Sequence, residues 1–204
     1  MPARHPHVIV LSGPNGAGKS TAAPALLKGA LGVTEFVNPD VIAQGLSAFA
    51  PERVALAAGR IMLTRLHELA HQGVDFAFET TLASRRFAPW LADLRRTGYS
   101  VHVLFLWLPS ADLAVERVAE RVRMGGHAVP EETIRRRYVA GLRNFFMLYR
   151  PLAATWRIFD TSQACRPQLI ARGEGVRVTR IVDRQMWGQV RQGATHADED
   201  DEGN

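Results

Sequence analysis

At 204 residues the chain accommodates one domain, or one domain with small insertions, and its 47% hydrophobic content can fill a sizeable core, which excludes a disordered class. A single cysteine, Cys165, excludes an internal disulfide and fits a reducing compartment, and no apolar run approaches a membrane span. The net charge of +5 conceals an asymmetry: Asp198, Glu199, Asp200, Asp201 and Glu202 carry −5 near the end, which leaves a body of +10. Such a body suits a site for ATP and a second phosphorylated substrate at least as well as it suits nucleic acid.

Val8-Ile9-Val10-Leu11 reads as a short buried strand. It runs into Gly13-Pro14-Asn15-Gly16-Ala17-Gly18-Lys19-Ser20-Thr21, which opens a helix. Strand, glycine-rich turn and helix are the context that makes G-x-x-x-x-G-K-[ST] a phosphate loop. Glycines let successive backbone N–H groups face phosphate oxygens, and the helix start adds unsatisfied donors. Lys19 is expected to neutralise the β- and γ-phosphates of ATP, and the Ser20 hydroxyl to ligate Mg²⁺. Lysine is scarce: 25 basic residues include only Lys19 and Lys28, so a compact point charge stands where a phosphate favours one.

Further along, residues 34–38 read as a second strand, and a helical region follows from about 41 to 72 with a break near Pro51. Residues 74–78 read as a third strand ending at Glu79-Thr80-Thr81. Ser84 is placed to cap a helix that runs through Leu94. Residues 101–108 form the most apolar run, a central parallel strand. Ser110 begins an amphipathic helix carrying Ala111, Ala114, Val115, Val118, Ala119 and Val122 on one side. Gly125-Gly126-His127 interrupts, and Pro130 starts a helix to about Tyr149. Residues 156–160 read as a strand, 168–178 as a small hairpin, and a short helix ends the ordered part. The expected fold is α/β: a P-loop kinase-like three-layer arrangement, with a mostly parallel sheet of about five strands, helices on both faces and a helical lid at about 117–137. One domain spans 1–192, and 193–204 is expected to be a disordered acidic tail.

In such a sheet the residues just past the strand ends line the active crevice. Asn38 and Asp40 stand there after the second strand, and Glu79, Thr80 and Thr81 after the third. Phosphoryl transfer to a hydroxyl needs a carboxylate to accept the proton, and Asp40 is the candidate base. Its competing role is a helix N-cap. Glu79 is open to two roles, orienting substrate hydroxyls or holding a water bound to Mg²⁺. In the lid, Glu131 and Glu132 precede Arg135 and Arg136 by four, which gives those arginines local partners. Arg121, Arg123 and Arg137 are therefore the candidates for clamping phosphate, with a solvated ion-pair face as the alternative. His127 reads as a solvated loop residue, and no Cys/His cluster has zinc spacing.

Five segments together carry a resemblance: Gly13 to Thr21, Asn38-Pro39-Asp40, Phe78-Glu79-Thr80-Thr81-Leu82, Gly125-Gly126-His127-Ala128-Val129-Pro130-Glu131, and Arg135-Arg136-Arg137-Tyr138. In order and spacing, over roughly residues 7–160, they resemble the zeta-toxin family of P-loop kinases, most closely its short stand-alone members. The resemblance implies ATP-dependent phosphorylation of the 3′-hydroxyl of UDP-N-acetylglucosamine. Lys19 would bind phosphate, Asp40 would be the base, Glu79 with Thr80 would contact the sugar nucleotide, and lid arginines would contact ATP. The Gly-Gly-His lid departs from the loop of longer toxins. An antitoxin partner belongs to that resemblance and has no signal of its own in the sequence.

The resulting expectation is a cytoplasmic Mg·ATP-dependent kinase acting on a small hydroxyl acceptor, with no membrane segment and no nucleic-acid partner. Two other readings stay open: an ATP hydrolase or switch with a protein partner, and a nucleic-acid-end kinase.

Overall fold

The computed structural model describes residues 5–163 and 166–199, the side chains through residue 195. Cys165 and residues 200–204 of the acidic run lie outside them. The elements follow in chain order: β1 (His7–Ser12), α1 (Lys19–Ala23), β2 (Glu35–Val37), α2 (Pro39–Leu46), α3 (Ala55–Gln72), β3 (Phe76–Thr80), α4 (Phe87–Arg96), β4 (Ser100–Trp107), α5 (Ala111–Arg123), α6 (Glu131–Asn144), β5 (Thr155–Asp160), β6 (Gln168–Glu174), β7 (Arg177–Ile181) and α7 (Arg184–Glu199). The sheet has seven strands in the order β2-β3-β1-β4-β5-β6-β7.

The first five strands are parallel, with β1 between β3 and β4. Their near-continuous apolar runs follow from burial on both faces. Val8, Val10, Phe76, Phe78, Val101, Val103 and Phe105 pack towards α3, α4, α6 and α7. Ile9, Leu11, Ala77, Leu104 and Leu106 pack towards α1 and α5. Trp107, Phe145, Tyr149 and Trp156, aromatic residues that could have served as stacking platforms, are buried in the core. Among the described residues no helix is long and apolar enough to cross a membrane.

Several details differ from the sequence expectation. The sheet has seven strands where about five were expected, because β6 and β7 do not form a separate hairpin. They extend the main sheet as antiparallel strands beside β5. An antiparallel neighbour needs no helical crossover, and β6 takes that place beside β5. Their inward residues Ile170 and Ala171 complete the core under Trp187 and Val190. The last helix is therefore not short: α7 continues to Glu199, across the expected boundary at 192. Ser84 is not a helix cap either. Its hydroxyl accepts from the Arg86 N–H, and α4 starts one residue later without a side-chain cap.

The turn after β3 is held to α6 from several sides. Asn144 donates its amide to the carbonyls of Leu82 and Ala83, and the Tyr149 hydroxyl donates to that of Ser84. Gly141 lets α6 approach, since a Cβ there would meet the Thr81 carbonyl oxygen at 2.3 Å.

The three tyrosines all anchor backbone carbonyls. Tyr138 donates to Leu108 and Tyr99 to Val74, beside the Tyr149 contact. Burial pushes the hydroxyls of Tyr138 and Tyr149 up to about 12, and burial followed by Asp75 raises that of Tyr99. Unfolded tyrosines ionise near pH 10, so between about 10 and 12 the folded chain binds more protons than the unfolded one. Stability is thus expected to fall as pH rises through that window. In an alkaline titration, tyrosinate absorbance should appear together with loss of near-ultraviolet circular dichroism. Ionisation of all three near pH 10 with the fold intact would contradict this.

Candidate active site

The phosphate loop is wedged between β4 and α5. Gly13 has φ 139°, and a Cβ on it would lie 2.2 Å from the Leu106 carbonyl oxygen. Gly16, at φ 79°, would press a Cβ to 2.8 Å from the Ala114 oxygen. Both glycines thus allow close backbone approach, whereas Gly18 supplies the left-handed turn that starts α1. That cap has no side chain to occupy the first-turn N–H groups. Helix α1 is a single turn. Pro24 lacks the N–H that would continue it, and the backbone shifts to a π-turn over Pro24–Gly29.

Lys19 is buried, and its Nζ donates to the carbonyls of Gly13 and Pro14 at 2.9 Å each. The Glu79 carboxylate lies 3.7 Å away and is also buried. Burial lowers the pKa of Lys19; Glu79 and then Asp40 oppose that shift, and Arg121 adds to it. The acidic partner is shared. Ser20 Oγ donates to Glu79 Oε2 at 2.9 Å, and Asn38 Nδ2 donates to the same oxygen at 2.8 Å. Asn38 also reaches Ser20 Oγ at 3.2 Å. Its Oδ1 meanwhile accepts the N–H groups of Asp40 and Val41 at 2.8 and 3.3 Å, which makes it the N-cap of α2.

The cap on Asn38 leaves Asp40 with no capping duty. Asp40 stands exposed in the first turn of α2, within electrostatic reach of Lys19 and of Arg137. Arg137 is half-buried on α6; burial lowers its pKa, Asp40 raises it, and Arg136 lowers it. Arg121 donates to the His127 carbonyl at 2.8 Å, while its Nε is buried without a partner. That bond ties the Gly125-Gly126-His127 turn to α5, and His127 lies 3.6 Å from Glu52.

The other expected residues fall nearby in different ways. Asn15 is buried in the loop, and its Oδ1 has no partner. Pro14 and Ala17 are buried beside it, and Thr21 is exposed on α1. Thr80 and Thr81 accept the N–H groups of Leu82 and Ala83, forming the turn after β3 that carries Leu82 at φ 58°. Arg123 is exposed in the last turn of α5, away from the Lys19 cluster's bonds. Arg117, which falls in the stretch expected to be a lid, instead donates to the carbonyls of Thr161 and Ser162, both at 2.6 Å. It fixes the turn after β5, where Asp160 accepts from the Ser162 N–H and hydroxyl. Sequence reasoning missed this anchor. The strand-end Asp-Thr-Ser run was the available signal.

The oxygen set at Ser20 and Glu79 fits a small hard cation. A hydroxyl and a carboxylate side by side are the oxygen donors Mg²⁺ takes, although in the free protein they bond to each other at 2.9 Å. Among the described residues there is no cluster of three or more His, Cys, Asp or Glu that would hold a metal alone, so phosphate oxygens and waters would complete the shell.

Asn38 joins the cap of α2 to the Ser20–Glu79 pair, so Asn38→Ala should destabilise the free protein by about 1–3 kcal/mol. Urea denaturation measures it. An unchanged midpoint would mean that neither bond contributes.

The fold is shared with known proteins. AvrRxo1-ORF1:-ORF2, solved with ATP, superposes with a TM-score of 0.71 at 19% identity over 91% of this chain. This chain spans only 63% of that one's length. A chain of the PezAT chromosomal toxin–antitoxin system of Streptococcus pneumoniae matches at 0.64 with 15% identity, covering 97% of this chain and 88% of that one. An uncharacterized protein of Haemophilus influenzae is 26% identical over 130 residues, 64% of this chain and 91% of its own length. The resemblance to zeta-toxin-like P-loop kinases therefore holds at the level of the fold. The AAA domain family matches residues 8–138, which contain the phosphate loop, Asp40, Glu79 and Arg137, and the chain belongs to that family.

Proposed function

We propose that the protein is an ATP-dependent phosphotransferase that moves the γ-phosphoryl group onto a hydroxyl of a small metabolite. The observation that carries this reading is Asp40. It is a carboxylate released from capping by Asn38, exposed at a strand's carboxyl end, and electrostatically linked to both Lys19 and Arg137. A pure nucleotide-binding switch does not require such a group.

In this reading the acceptor oxygen bonds to the γ-phosphorus as the bond to the β-bridging oxygen breaks, and the acceptor proton passes to Asp40. Lys19 exchanges its bonds to Gly13 and Pro14 for the β- and γ-phosphates. Arg121, whose Nε is unpartnered, and Arg137 meet the charge on the transferring group. Gly13 through Thr21 cradle the phosphates, and Arg123 supports them from the end of α5. Ser20 and Glu79 would hold Mg²⁺, which would neutralise the phosphate charge, while Asn38 orients both. Thr80 and Thr81 border the acceptor side. A groove of about 600 Å³ beside Asn38 and Val41, lined also by Phe36, Ile42, Arg60 and an Arg65 paired with Glu35 and Glu68, supports an acceptor with apolar and polar parts. ATP in the AvrRxo1 complex supports the donor, and the zeta-toxin resemblance makes UDP-N-acetylglucosamine the first acceptor to test. The toxin–antitoxin setting of PezAT favours a second reading, an ATP hydrolase or switch controlled by a protein partner.

A screen of sugar nucleotides and nucleosides with labelled ATP separates the two, because a kinase releases ADP in proportion to acceptor. With a working acceptor, Asp40→Asn should retain ATP binding and lose about a hundredfold or more in turnover. Wild-type turnover would remove Asp40 from the chemistry. Lys19→Ala should weaken nucleotide use itself, and unchanged affinity and turnover there would overturn the whole reading.

A further inference from the structure

The antiparallel extension of the sheet is covered along its length on one face, and on the other Phe159 and Leu169 join the core near the carboxyl end of β5. Trp156, Ile158, Ala171, Gly173 and Val178 turn towards the core beneath Trp187 and Val190. The opposite face of β5–β7 presents Thr155, Arg157, Arg172, Glu174, Arg177 and Arg180, all exposed. The register sets Arg157 directly across from Arg172, and Arg172 directly across from Arg180. The three arginines thus root in one row perpendicular to the strands, whose backbones lie roughly 5 Å apart. Like charges directly opposite on neighbouring strands disfavour a sheet. Among the described residues none of the three forms an ion pair, and Glu174 stands across from Arg177, one step along the strands. The row's field reaches β4, where Arg157 contributes to lowering the pKa of His102, after burial and after His7.

The row lies apart from the phosphate loop. Arg157 pairs with Leu104 in the middle of β4, and Arg172 and Arg180 continue the row away from β1 onto β6 and β7, whereas the candidate active site occupies the carboxyl ends of the strands. The function proposed above therefore leaves it unused. Its chemistry selects a partner. No apolar or aromatic side chain stands among the six residues, so the face lacks the desolvated centre of a protein interface and the stacking platform that unpaired bases require. It offers planar forks suited to phosphate oxygens. A duplex keeps its bases stacked within itself and presents the denser array of phosphates.

We propose that the Arg157–Arg172–Arg180 row is a docking surface for the phosphate backbone of duplex nucleic acid, read without sequence preference. Binding is weak, salt-sensitive and independent of the nucleotide site.

The test is fluorescence anisotropy of a labelled DNA duplex with the full chain, over a series of salt concentrations. Each phosphate contact contributes about −0.9 to the slope of log affinity against log salt. The combined Arg157→Gln, Arg172→Gln and Arg180→Gln variant should therefore bind more weakly, with a slope shallower by about 2.7. Its melting temperature should stay level or rise, because like-charge opposition is relieved, which separates lost binding from lost folding. Lys19→Ala should bind the duplex as the wild type does. A triple variant with wild-type affinity and slope would overturn the proposal. Tighter binding of a single strand than of the duplex, or equal binding of polyglutamate, would overturn the assigned partner.

Discussion

A cation held out of water is the constraint on which the site depends. A buried ammonium group is costly unless its donors and its charge are both answered. Lys19 meets this with two loop carbonyls and the carboxylate of Glu79. Glu79 is in turn shared with Ser20 and Asn38. One charge therefore ties together the end of β1, the end of β3 and the start of α2. The register of the parallel strands matters for the same reason: Ser12 lies opposite Thr80, so the phosphate loop and Glu79 leave the sheet at one level.

Around that cluster the structure separates positioning from exposure. Asn38, Glu79 and Lys19 are buried, with Glu79 partnered by both of the others and Lys19 bonded also to the loop carbonyls. Asp40 and Ser20 stand at the open side, where a ligand reaches them. Further out, Arg121 and Arg137 approach from α5 and α6. Arg121 is already bonded to the His127 turn, so this arginine and the turn move together or not at all.

Much of this was legible in the sequence because it depends on local rules. Fixed glycine spacing, a strand before it and a helix after it define a phosphate loop whatever the surroundings. Strand ends in a parallel sheet likewise mark Asn38, Asp40 and Glu79 in advance. What was not legible depends on tertiary contacts. The sequence offered Asp40 as the N-cap of α2, and only the folded chain shows Asn38 taking that duty while also bonding Glu79. Arg117 reads as one of several lid arginines until the turn after β5 folds back onto α5. The place of β6 and β7 escaped for a similar reason. A short hairpin has the same local pattern whether it stands alone or joins a sheet.

The two ends of that sheet bear on behaviour in concentrated solution. One edge, β2, has only three residues, and the other, β7, carries Arg177 and Arg180. An open strand edge is a template for pairing with another molecule, and short or positively charged edges discourage it. A seven-stranded sheet that never closes into a barrel would otherwise be prone to intermolecular stacking. Colloidal stability is thus lodged at the margins of the fold, and changes that lengthen β2 or neutralise β7 would be felt first as aggregation during synthesis.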